Sequence, residues 1–92
     1  MNNPKLNKIR RNLDKLDIKL LNIIKKRSNL VKKVLKLKQK KNQIVDNQRI
    51  KIILKSIRKK SIKMNIDPDI TKKIWKAMIQ AFIDFEYKNF KK

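Results

Sequence analysis

The sequence has no cysteine, no histidine and no glycine, and only two prolines. Without cysteine or histidine there is no disulfide framework, no zinc finger and no histidine-based catalysis. Without glycine there is neither a phosphate-binding Walker loop nor a dinucleotide-binding turn, because both need backbone that only glycine supplies. Acidic residues are scarce too, 7 Asp plus Glu against 28 Lys plus Arg, which leaves a net charge of +21. No apolar run approaches the roughly 18 residues of a membrane span, and MNNPKLNKIRRN lacks the apolar core of a secretion signal. These absences predict a soluble, cytoplasmic protein, and 92 residues are enough for a single domain over 1–92.

The charge has two readings. A balance this basic favours anionic partners. Yet Lys, Ile and Asn make up over half the chain, and Lys outnumbers Arg 23 to 5. The codons for all three are AT-rich, so part of the lysine content is a default choice for solvated positions. A nucleic-acid-binding module concentrates cations on one groove-facing helix or interleaves them with aromatics. Here lysines spread along the whole chain and the aromatics gather near its end, so nucleic acid is not the expected partner.

Hydrophobic periodicity is helical throughout. From Leu6 to about Lys41, Leu6, Ile9, Leu13, Leu16, Leu20, Ile23, Leu30, Val34 and Leu37 fall on a heptad stripe. That predicts a helix of about 35 residues, roughly 50 Å long. Such a helix cannot bury its stripe within a chain this short, so it needs a partner. Lys41-Asn42-Gln43 breaks the period and reads as a connection. Asp46 caps a second, short helix whose apolar side carries Ile50, Ile53, Leu54 and Ile57. After a loop at Lys63–Ile66, Asp67-Pro68 opens a third helix, a capping Asp with Pro at the first helical position. This medium-length helix runs to about Phe90, with Ile70, Ile74, Met78 and Ile83 on one stripe. Trp75, Ile79, Phe82, Glu86 and Phe90 form a second stripe that overlaps it. The expected fold is all-α: three helices, one long, one short and one medium, forming an intertwined homodimer.

A few charged residues interrupt this pattern. Arg27 takes a heptad position shared with Leu13, Leu20 and Val34. A guanidinium there either receives an anion or snorkels out of the seam to an Asp of the partner. Lys38 follows eleven residues on, three turns later on nearly the same face. Alone it reads as a solvated lysine, but with Arg27 it brackets space for a ligand about the size of a sugar ring. Arg10, about 25 Å from Arg27 along the axis, cannot reach that ligand from the same chain but can from a second one. Glu86, the only glutamate in the protein, lies on the Trp75–Phe82 stripe; it is either an inward carboxylate or a solvated residue near the chain end. Asp46 reads first as a cap, and Arg49 as a candidate to point inward beside Ile53.

IRRNLDKLDIKLLNIIKKRSNLVKKVLKLK resembles the first helix of the all-helical chorismate mutases, with Arg10, Asp17, Arg27 and Lys38 at the family's spacings. IVDNQRI resembles the second-helix motif, placing Asp46 and Arg49. NIDPDITKKIWKAMIQAFIDFEYKNF resembles the third helix, where the functional Gln or Glu falls on Glu86. The resemblance covers about Leu6 to Phe90. It implies an intertwined dimer with two equivalent sites for chorismate, each taking Arg10 from the opposite subunit, and it implies no cofactor and no metal. Lys38, Glu86 and Arg27 are then the catalytic set, and Arg10, Arg49, Asp46, Ile50, Ile79 and Ile83 bind substrate. Lys38, and Glu86 when protonated, would donate to the ether oxygen of chorismate as it rearranges to prephenate.

Three positions depart from the family pattern. Ile50 stands where many members carry Glu, and the related isochorismate pyruvate lyases are aliphatic there too. Glu86 replaces Gln, and Phe82 replaces a Ser on the inner face. Ile50 supports the lyase as the alternative reading on the same scaffold, while Glu86 and the biosynthetic need for prephenate favour the mutase.

Overall fold

The computed structural model describes residues 3–91 and is all-α, with three helices and no strand among the described residues. Helix α1 is Pro4–Leu37, a single 3-10 turn occupies Lys41–Gln43, α2 is Asn47–Lys63 and α3 is Pro68–Asn89. The chain divides into two compact units, Met1–Val31 and Lys32–Lys92.

The first unit is helix alone. It opens with a cap the apolar periodicity did not reveal: the Asn3 side chain accepts the Leu6 N–H at 3.1 Å and its carbonyl accepts the Asn7 N–H at 2.9 Å. Pro4 takes the first helical position, where its missing N–H costs nothing. No residue of α1 is buried. Leu13, Leu16, Leu20 and Ile23, all on the expected stripe, are each more than half exposed. Full burial of one such side chain is worth about 1.5–3 kcal/mol, so the stripe is a large unused source of stabilisation in a single chain.

In the second unit α2 packs along α3 as a helical hairpin. The expected α2 face holds: Ile50, Ile53, Leu54 and Ile57 are half-buried, while Ile52 and Ile62 stay exposed. On α3 the first stripe is covered only in its later part, at Met78 and Ile83. Trp75, Ile79 and Phe82 are half-buried and Glu86 is buried, whereas Ile70 and Ile74 remain exposed. Ile44, 3% exposed, is the one buried apolar residue among the described residues.

The hairpin turn has a clear chemical origin. Asn65 takes the left-handed conformation at φ 59°, which Asn tolerates better than most residues. The Ile66 N–H reaches back to the Ser61 carbonyl at 2.9 Å and closes the end of α2. Asp67 caps α3 by accepting the Asp69 N–H at 2.9 Å. Beneath the turn, Ser61 and Thr71 are buried and face each other at 2.7 Å. Each hydroxyl has one proton and a backbone carbonyl in reach, Ile57 for Ser61 at 2.6 Å and Pro68 for Thr71 at 3.3 Å, so either one can donate across the pair.

One expected boundary is corrected. The first helix stops at Leu37, not near Lys41, and Lys38 lies beyond its end. The Lys38 N–H still bonds the Leu35 carbonyl at 3.2 Å, a tightened final turn. The next two amides, of Gln39 and Lys40, turn instead to the Gln43 side chain, at 2.7 and 3.0 Å. A side-chain acceptor thus ends a helix whose period alone would have carried it further.

Because the Ser61–Thr71 bond is buried, Thr71→Val should lower unfolding free energy by about 1–2 kcal/mol in urea titration. Ser61→Ala in the Thr71→Val background should cost less than Ser61→Ala alone, since the two hydroxyls act on each other.

Candidate active site

The centre of the site lies in the second unit, where the end of α1, the 3-10 turn and α3 each supply one group. Glu86 sits on the inward stripe of α3 and is only 6% exposed. Its Oε1 accepts a hydrogen bond from Lys38 Nζ at 2.9 Å. Lys38 Nζ also donates to the Ile44 carbonyl at 3.2 Å. The lysine stem thus turns forward from the helix end, bridging the connection to α3.

The energetics of this arrangement are asymmetric. A carboxylate withdrawn from water loses several kcal/mol of solvation, recovered only if a cation meets it in good geometry. Lys38 provides that cation, its own side chain 19% exposed. An ammonium has three N–H donors, and Glu86 and Ile44 take two of them. These two bonds hold the end of the long stem in place.

Lys38 also borders a shallow hollow of about 480 Å³ whose lining includes Leu37, Gln43, Asp46 and Asn47. Asp46 adopts its expected role as cap of α2, accepting the Arg49 N–H at 3.0 Å. Lys38 and Asp46, singled out from separate motifs, therefore border one concavity. Arg49 does not turn inward beside Ile53 as expected. The residue is exposed in the single chain.

The remaining expected residues are distributed as follows. Ile50, Ile79 and Ile83 are half-buried on α2 and α3. Arg27 is half-buried and Arg10 exposed, both in the Met1–Val31 unit. Of the charged set, the structure joins Lys38 and Glu86 directly. The inward reading of Glu86 holds, and the solvated one does not.

Sequence reasoning missed Ile44 and Gln43. Ile44 acts through its backbone carbonyl, which no side-chain pattern advertises. Gln43 does carry a readable signal, a side-chain acceptor three and four residues after two amides released from a helix end, but it was absorbed into a generic connection.

Among the described residues no group of acidic side chains is arranged to hold a metal, and no helix is long and apolar enough to cross a membrane. The fold and the pair define an all-α domain with a preformed cation–carboxylate centre at a helix junction. The family model for chorismate mutase type II matches residues 9–87, most of the chain, and the chain belongs to that family. No curated protein and no solved structure matches it.

Removing one member of the pair strands the other. Lys38→Met should destabilise the fold by roughly 3 kcal/mol, because it leaves a buried carboxylate without its cation. Adding Glu86→Leu to Lys38→Met should restore most of that loss in chemical denaturation, since an apolar pair needs no solvation.

Proposed function

We propose that this protein is a chorismate mutase, converting chorismate to prephenate for phenylalanine and tyrosine biosynthesis. The observation that carries the reading is the Lys38–Glu86 pair, whose lysine borders the hollow at the helix junction, in a chain of the chorismate mutase type II family. The rearrangement is intramolecular: one C–O bond breaks as one C–C bond forms, with no covalent intermediate. Catalysis then consists of holding a dianion in its reactive chair form and stabilising the charge that grows on the ether oxygen.

The residues divide along those two tasks. Arg27, Arg49 and an Arg10 from a second copy fix the two carboxylates. Ile79 and Ile83 form the apolar wall, with Ile50 and Asp46 at the α2 side. Lys38 directs its third N–H to the ether oxygen. Glu86 anchors the Lys38 ammonium through its carboxylate before substrate arrives. The exposed stripe of α1 supports a homodimer, because a second copy offers the same heptad surface and carries Arg10 with it.

Product analysis by NMR after incubation with chorismate tests the activity. Prephenate should form with wild-type protein. Lys38→Ala should lower kcat by two to three orders of magnitude, from loss of a donor worth about 3–4 kcal/mol in the transition state. Near-normal turnover in that variant would remove Lys38 from the mechanism. No prephenate from chorismate, together with pyruvate release from isochorismate, would assign the lyase reaction that Ile50 suggests.

The shared site makes a separate prediction. Arg10→Ala and Lys38→Ala proteins, each nearly inactive, should regain activity on mixing and subunit exchange. Half the dimers would be mixed, and each would hold one intact site, so about a quarter of wild-type activity should return. A mixture that stays inactive although exchange is demonstrated would place Arg10 outside the partner's site.

A further inference from the structure

We propose that Gln43 is a positioning residue of this site: by closing the connection between α1 and α2 it sets the Ile44 carbonyl that, with Glu86, aims the Lys38 ammonium. The proposal rests on the reading of Lys38 as the residue that bears on substrate.

Lysine is a poor choice for a fixed electrostatic donor unless its stem is held. Its flexible chain carries about 2 kcal/mol of rotamer entropy, and stabilisation of a developing charge depends on donors already in place. Lys38 gains no direction from regular helix, since α1 ends at Leu37. Its direction comes from two acceptors, Glu86 Oε1 at 2.9 Å and the Ile44 carbonyl at 3.2 Å. Glu86 is fixed by α3. The Ile44 carbonyl belongs to a connection and has to be fixed by other means.

Two devices fix it. The Ile44 side chain is buried, 3% exposed, and pins the residue. The path into Ile44 is closed by Gln43, whose single Oε1 accepts the Gln39 N–H at 2.7 Å and the Lys40 N–H at 3.0 Å. Backbone bonds complete the turn, from the Gln43 N–H to the Lys40 carbonyl at 3.0 Å and from the Ile44 N–H to the Lys41 carbonyl at 3.2 Å. Residues 38–44 therefore form one closed excursion, with Lys38 at its entrance bonded to Ile44 at its exit. Gln43 itself is exposed, so its contribution is geometric and not one of core packing. It also lines the hollow that Lys38 borders.

The chemistry of the closure specifies the side chain. Two amides converge on one oxygen, which requires an acceptor with two lone pairs at the reach of Gln or Glu. Asn is one methylene too short, and Met matches the length but is only a weak acceptor.

The test uses the full chain and the variants Gln43→Met, Gln43→Asn and Gln43→Glu, with three readouts. Gln43→Met and Gln43→Asn should speed amide exchange at Gln39 and Lys40 and lower kcat for chorismate about tenfold, with KM changed far less. Gln43→Glu should restore both the slow exchange and most of kcat. The third readout needs no turnover: Glu86 is the only glutamate, so glutamate-selective 13C labelling gives one side-chain carboxyl resonance. In Gln43→Met that resonance should move toward its position in Lys38→Met. An unmoved resonance, or unchanged exchange at Gln39 and Lys40, would overturn the role of Gln43 whatever the activity. A moved resonance with a wild-type kcat would overturn it as well. Wild-type protein inactive on chorismate, with the resonance moved in Gln43→Met, would sustain the positioning of Lys38 and discard the mutase reading alone.

Discussion

A carboxylate placed inside a small protein must have its charge answered, and much of the second unit is organised around the answer Glu86 receives. The residue lies on the same stripe as Trp75, Ile79 and Phe82, so burying the aromatic face of α3 draws Glu86 out of water as well. Only a cation with a reach of several ångströms from the neighbouring segment meets it, and Lys38 does so because the first helix ends one residue earlier. A helix continued through Lys38 would commit that residue to a helical rotamer. The helix end, the turn and the ion pair are thus one solution to a single desolvation problem. The same solution leaves the Lys38 ammonium held at the edge of a hollow.

The second organising fact is an apolar surplus. The hairpin of α2 and α3 buries few residues fully, and no residue of α1 is fully buried in a single chain. Stability of the usual 5–15 kcal/mol cannot rest on one buried isoleucine and a pair of buried hydroxyls. The positive charge makes association costlier, since like-charged copies repel, and this raises the apolar contact a partner must supply. The proposed dimer joins the two requirements, since the surface that covers the stripe also brings Arg10.

Much of the fold was legible beforehand because helical periodicity is a local property. The three helices, the Asp46 cap and the Asp67-Pro68 start all followed from residue spacing and held in the structure. The end of α1 was misplaced by about four residues. Periodicity continues through Leu37 with nothing to stop it, and the stop is a side-chain acceptor at Gln43 that acts backward along the chain. Apolar neighbours on α2 suggest an inward Arg49, yet the residue is exposed in the single chain. For Glu86, the pattern allows both an inward and a solvated position, and the structure buries it against the Lys38 ammonium.

By itself, then, the sequence determined that this chain is helical, that its first helix carries an apolar stripe along one face, and which charged residues break the pattern. Those properties depend on spacing along one helix, where 3.6 residues per turn maps position onto face. The tertiary structure alone decided that Lys38 and Glu86, 48 residues apart, meet at 2.9 Å, and that the Ile44 carbonyl shares the ammonium. Such contacts depend on where a helix stops and how a turn folds back. Both are settled by a few hydrogen bonds between groups with no periodic signature, two of them to a single oxygen of Gln43.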